Sequence, residues 1–172
     1  STMVVTPGAN GALTVDADLT PSYNGNAAVG QWRRRLDFNA SRLRVHDTFT
    51  IGAGVQATFQ VNTPVQPFVN GRTATAGSLL VTVIEPADAT LSVLDWRTVE
   101  AGEYDSGYRL DIRGSGNAFV VELACALPAA RHVHHRRLIV LGVDAEGGRD
   151  LIVLRAHHVP ALVVAVDAIG AE

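Results

Sequence analysis

Val29-Gly-Gln-Trp-Arg-Arg-Arg-Leu-Asp-Phe38, a turn at Asn39-Ala-Ser41, then Arg42-Leu-Arg-Val-His-Asp-Thr-Phe-Thr-Ile51, a second turn at Gly52-Ala-Gly54, and Val55-Gln-Ala-Thr-Phe-Gln-Val61 together decide the fold. Each limb alternates apolar and polar residues, the period of a strand with one face buried. Trp32, Leu36 and Phe38 share a face of the first limb. Leu43, Val45, Phe49 and Ile51 share one of the second, and Val55, Ala57, Phe59 and Val61 one of the third. The pattern predicts a three-strand meander whose apolar side needs a second layer over it.

The register of the first hairpin follows from its apolar faces. They coincide when Phe38 pairs with Leu43, Leu36 with Val45 and Trp32 with Phe49, because a slip of one residue would turn a whole face outward. The same register sets Arg34 opposite Asp47 on the inward face. A lone buried charge is costly, whereas a paired and hydrogen-bonded one is tolerated. An Arg34–Asp47 ion pair that keeps the register is therefore expected; the competing reading is an active-site role.

Outside this stretch the same signature recurs. Leu13–Leu19 reads as a short strand after a loop over residues 4–11, and Thr63–Val69, with two prolines, is confined to a sheet edge or extended coil. Asn70-Gly71 signals a two-residue hairpin loop between Val69 and Arg72. Leu79–Ile84 is apolar on both sides and reads as a central strand. Further strands are expected at Thr90–Trp96, Tyr108–Arg113, Ala118–Ala124, Arg137–Val143 and Leu151–Arg155. Ala161–Asp167 reads as strand in preference to a tail helix, because three of its seven residues are Val. With no amphipathic helical window, the fold class is all-β: a two-layer antiparallel β-sandwich of about 10–13 strands. Residues 1–11 are expected to be a disordered lead-in, with Ser1-Thr2-Met3 a vector-derived scar, and residues 12–172 a single domain.

Composition narrows the function classes. A chain of 172 residues, 47% hydrophobic and 18% charged, is long enough and apolar enough for one good core. A net charge of −3 gives no argument for nucleic acid or an anionic membrane. No apolar run approaches the roughly 18 residues of a membrane span, and none resembles a signal peptide. All 14 basic residues are Arg, which suits forked recognition of carboxylate or sulfate. The single Cys125 excludes an internal disulfide and reads as a small buried hydrophobe.

Motifs for nucleophilic, phosphate-binding or zinc-dependent chemistry are missing. Asp105-Ser-Gly107 matches an aspartic-protease triplet, but one carboxylate has no partner with which to share a proton, so a turn is the simpler reading. The outward face of the first hairpin carries Arg33, Arg35, Asp37, Arg44 and His46, with Arg35 opposite His46 and Asp37 opposite Arg44. Such a strip offers guanidinium forks to an acidic polysaccharide; the alternative is a solvated face with local charge pairs. Trp96, Tyr104 and Tyr108 bracket a loop, as a sugar-stacking platform or as a plug at one end of the sandwich. No cofactor and no metal is expected. The alternative places zinc or nickel on His132, His134 and His157, since the first two share a face of a strand.

Several segments resemble the C-terminal β-sheet region of the heparinase II/III-like polysaccharide lyases. These are Asp18-Leu-Thr-Pro-Ser-Tyr23, Arg35-Leu-Asp-Phe-Asn39 with Leu43-Arg-Val-His-Asp-Thr-Phe49, Phe59-Gln-Val-Asn-Thr-Pro64, Val69-Asn-Gly-Arg-Thr-Ala74, and Leu79-Leu-Val-Thr-Val-Ile-Glu-Pro86 leading to Val93-Leu-Asp-Trp96. That region begins "DLT…Y", passes through "R.L.L…L.V.D.F" and "HTP", and has a hairpin with "G..A". The resemblance covers residues 13 to about 124; residues 125–172 match less well.

The resemblance implies a non-catalytic sandwich module that braces a helical catalytic toroid elsewhere in a periplasmic or secreted parent. Such parents abstract the C5 proton of a uronic acid and eliminate the 4-linked sugar. No residue here matches their catalytic bases, so this chain alone is expected to be inactive. Where the family has the His of "HTP", in some relatives serving a structural metal, this chain has Asn62, a poor zinc ligand. The other readings are a free-standing carbohydrate-binding module and a structural β-domain.

Overall fold

The computed structural model describes residues 2–99, 106–125, 138–144, 151–156 and 162–169. Among the described residues the chain forms fourteen strands: β1 (Thr2–Pro7), β2 (Leu13–Asp18), β3 (Val29–Asn39), β4 (Arg42–Ile51), β5 (Gln56–Thr63), β6 (Phe68–Asn70), β7 (Thr73–Ala76), β8 (Leu79–Glu85), β9 (Thr90–Asp95), β10 (Tyr108–Arg113), β11 (Ala118–Cys125), β12 (Leu138–Asp144), β13 (Leu151–Ala156) and β14 (Leu162–Ile169). One turn of helix, α1 (Trp96–Val99), follows β9. The larger sheet runs β1-β2-β3-β4-β11-β8-β7-β6 and the smaller β12-β13-β14-β5-β10-β9. The two are stacked as an antiparallel, all-β sandwich.

The first hairpin pairs in the register its apolar faces require: Phe38 with Leu43, Leu36 with Val45, Trp32 with Phe49. The third limb departs from the meander. After Gly54, held at φ 79°, β5 does not join β4 but crosses to the small sheet, where it pairs with β14 and β10. The reason is burial. Ala57, Phe59 and Val61 become the layer that covers Trp32, Val45 and Phe49, and the place beside β4 is taken by β11. An aromatic chain joins the layers: Tyr23 stacks on Trp32 at 5.3 Å, Trp32 on Phe49 at 4.6 Å, Phe49 meets Phe119 at 5.5 Å, and Phe119 meets Phe59 of the facing sheet at 5.9 Å. Each buried aromatic contributes about 1.5–3 kcal/mol through the area it removes from water.

Four local expectations are corrected: first, Cys125 is exposed at the end of β11 and not a buried hydrophobe. Residues 4–7, expected as part of a loop, belong to an edge strand on β2 that runs Thr2–Pro7, because Thr2, Val4, Val5 and Thr6 have the branching that a ladder favours. The β6–β7 loop is Gly71-Arg72 between the pair Asn70 and Thr73, one residue later than expected. Its positive φ of 57° falls on Gly71, the first loop position, where only glycine adopts it freely. β8 lies inside its sheet but is covered on one side only: Val81 and Val83 are buried, whereas Leu80 and Ile84 face outward.

Candidate functional site

The hairpin that sets the core also sets the most charged surface. Residues of β3 and β4 that alternate with Trp32, Leu36, Val45 and Phe49 face away from the core, so Arg33, Arg35, Asp37, Arg44 and His46 share one side of the large sheet. Arg35 lies opposite His46, Asp37 opposite Arg44, and Arg33 opposite Thr48. The flanking strands complete the pattern: β2 sets Asp16 beside Arg35 and Asp18 beside Arg33, and β11 sets Glu122 beside Arg44.

The contacts follow from that ladder. Arg44 engages Glu122 through Nε and Nη2 at 3.2 and 2.7 Å, and Arg42 reaches the same carboxylate at 3.3 Å. Arg35 Nε donates to Asp37 at 3.1 Å, and His46 Nε2 stands 3.7 Å from the other Asp37 oxygen. Arg33, its side chain 60% exposed, lies 3.9 Å from Asp18. The Thr20 hydroxyl and backbone N–H, with Arg33 nearby, hold the Asp18 carboxyl below the usual aspartate range, so it stays charged. Arg33, Arg35, Arg42 and Arg44 thus share this face with Asp16, Asp18, Asp37 and Glu122, four cations against four anions. Exposed pairs of this kind add little stability, but they cancel the field that would draw an anionic chain. A shallow concavity of about 420 Å³ lies above Asp16, Asp18, Arg33, Arg35 and His46, with Val4 of β1 at its rim.

Directly beneath, Arg34 and Asp47 face each other in the core. Nε and Nη2 donate to the two carboxylate oxygens at 2.7 and 2.6 Å, and both side chains are 1% exposed or less. The Arg34 guanidinium also lies over the Phe59 ring, 5.6 Å from its centroid, so the pair reaches across to the other sheet.

Trp96 and Tyr108 do not form a common platform. Tyr108 has the alternation of the core residues Leu110 and Ile112, whereas Trp96 packs on Arg109, on the opposite face of β10. The Trp96 ring carries the Arg109 guanidinium 5.0 Å from its centroid, and its Nε1–H donates to Asn62 at 3.2 Å. Asn62 is therefore a hydrogen-bond acceptor for the indole. Tyr104, Asp105, His132, His134, His135, His157 and His158 lie outside the described residues. Among the described residues no three His, Cys, Asp or Glu side chains converge as metal ligands.

One cluster escaped the sequence reading. On the side of the small sheet turned from the core, Thr58, Gln60 and Asp111 are nonetheless buried. Asp111 accepts from Arg109 at 2.7 and 3.1 Å, and Arg113 Nε donates to Thr58 at 3.1 Å. The spacing Arg109, Asp111, Arg113 placed the three on one strand face; nothing local signalled that the face would be covered. No protein-family model matches this chain, and no curated protein matches it.

Proposed function

We propose that the chain is a non-catalytic β-sandwich module of a heparinase II/III-like polysaccharide lyase, one that braces the helical catalytic domain of its parent and leaves β-elimination to that domain. The observation that carries the reading is an exposed apolar area on the outer side of the large sheet, beyond the neutralised charge ladder. Phe68, Thr75, Leu80 and Ala124 form one cross-strand row, and Ile84 lies further along β8. Phe68 is 71% exposed, and Leu80 and Ile84 are each 39% exposed. A contiguous exposed apolar patch on a sheet face marks an interaction surface. An acidic polysaccharide is then the substrate of the parent, met at the catalytic domain and not held by this chain alone.

A free-standing carbohydrate-binding module is less well supported, because the Trp96 ring that would stack on a sugar already carries Arg109. The test is the parent reading frame and binding in trans. The frame should encode a helical domain of several hundred residues. That domain should bind this chain, and Phe68→Asp with Leu80→Asp should abolish binding without lowering the melting temperature. A frame with no such domain, or binding indifferent to both substitutions, overturns the proposal, as would release of unsaturated uronates by this chain acting alone.

A further inference from the structure

We infer that β1 is a self-pairing edge, through which two copies of the chain join their large sheets into one continuous sheet across a two-fold axis at Val4. Among the described residues β1 ends the large sheet, and all six of its residues are exposed. Met3, Val4 and Val5 are 58%, 62% and 48% exposed, so the strand is apolar on both faces and covered on neither. It carries no charge. Sheet edges are ordinarily blunted by shortness, charge or proline. The opposite edge of this sheet is blunted: β6 is three residues long and follows Pro64 and Pro67. β1 has only Pro7, at its last position, which leaves the run Thr2–Thr6 able to pair.

The occupant is read from the strand's own sequence. An antiparallel copy centred on Val4 sets Val4 against Val4, Met3 against Val5 and Thr2 against Thr6. Apolar meets apolar and hydroxyl meets hydroxyl on both faces, as an isologous interface requires. The nearest charges do not oppose this. Asp16 and Asp18 sit on β2, beside Val4 and Thr2. Across the joint the two β2 strands are three strand spacings apart, about 14 Å at ~4.8 Å each. That exceeds the Debye length of about 8 Å at physiological salt. This joint lies at the sheet edge away from Phe68 and Leu80, so it is independent of the docking face proposed above.

Sedimentation equilibrium from micromolar to millimolar chain is the measurement. The unaltered protein should show a monomer–dimer equilibrium. Val4→Lys, which sets two ammonium groups against each other on the axis, should weaken the dimer by about tenfold or more. At concentrations where the unaltered protein is monomeric, the melting temperature should not move, since Val4 is exposed. Phe68→Lys should leave the dimer intact. In a Cys125→Ser background, Val4→Cys should form an interchain disulfide on mild oxidation, whereas Met3→Cys, which faces Val5 of the other copy, should not. A monomer throughout the range overturns the inference, and so does a dimer that tolerates Val4→Lys or is lost in Phe68→Lys.

Discussion

Replacing Arg34 with Met should cost about 3–5 kcal/mol, because it strands a carboxylate from which water is excluded. Asp47 is 0% exposed and receives both guanidinium bonds, at 2.6 and 2.7 Å. The substitution also removes the guanidinium lying over Phe59, a contact between the layers worth about 0.5–2 kcal/mol. Asp47→Leu should cost a similar amount, because the buried guanidinium loses its carboxylate. The double variant Arg34→Met with Asp47→Leu should recover most of the loss, since well-packed apolar replacements of buried ion pairs are often neutral or stabilising.

Urea unfolding reads this directly. With a slope of about 2 kcal/mol per molar, a loss of about 4 kcal/mol moves the midpoint by roughly 2 M, a large share of the 5–15 kcal/mol typical of a domain. The double-mutant cycle then gives a coupling of several kcal/mol. Single substitutions costing less than about 1 kcal/mol would refute the reasoning, as would a double variant whose loss equals the sum of the two.

Three further outcomes are expected. Gly114→Ala should destabilise by about 1–3 kcal/mol in thermal unfolding, because a Cβ there overlaps Pro86 Cγ and lies 3.1 Å from Asp88 Oδ1. Gln60→Met should be neutral or stabilising by up to about 1 kcal/mol, because Gln60 is 3% exposed and its Nε2 has no hydrogen-bond partner among the described residues. A marked loss in urea unfolding would show that the amide is satisfied after all. Acid should weaken the fold through Asp18, Asp88 and Asp95, all held below the ordinary value of 3.8 by hydrogen bonds from Thr20, Ser115 and Arg97 respectively. The native state then binds fewer protons than the unfolded chain. Their contribution is complete above 3.8 and drains away as pH falls through the lower native values. Melting temperature should therefore drop below that pH, and less steeply in Asp88→Asn.

Local pattern settled much of this protein. Period-two alternation marks most strands, and the requirement that apolar faces coincide sets the β3–β4 register residue by residue, which is why Arg34 and Asp47 meet. It also places Arg33, Arg35, Arg44 and His46 on one outward face. The partners that neutralise that face were less legible, because Glu122 comes from a strand nearly eighty residues away along the chain.

Tertiary structure alone decided where β5 went. A turn at Gly52–Gly54 permits either a third strand beside β4 or a crossing, and only the need to cover Trp32 and Phe49 selects the crossing. It likewise buried Asp111 and Gln60 on a face that alternation marks as outward, turned Leu80 and Ile84 to the outside, and laid Arg109 on Trp96. The physical division is one of range. Backbone geometry ties each side chain to a face through its immediate neighbours, whereas burial and charge partners depend on which distant segment comes to lie against that face.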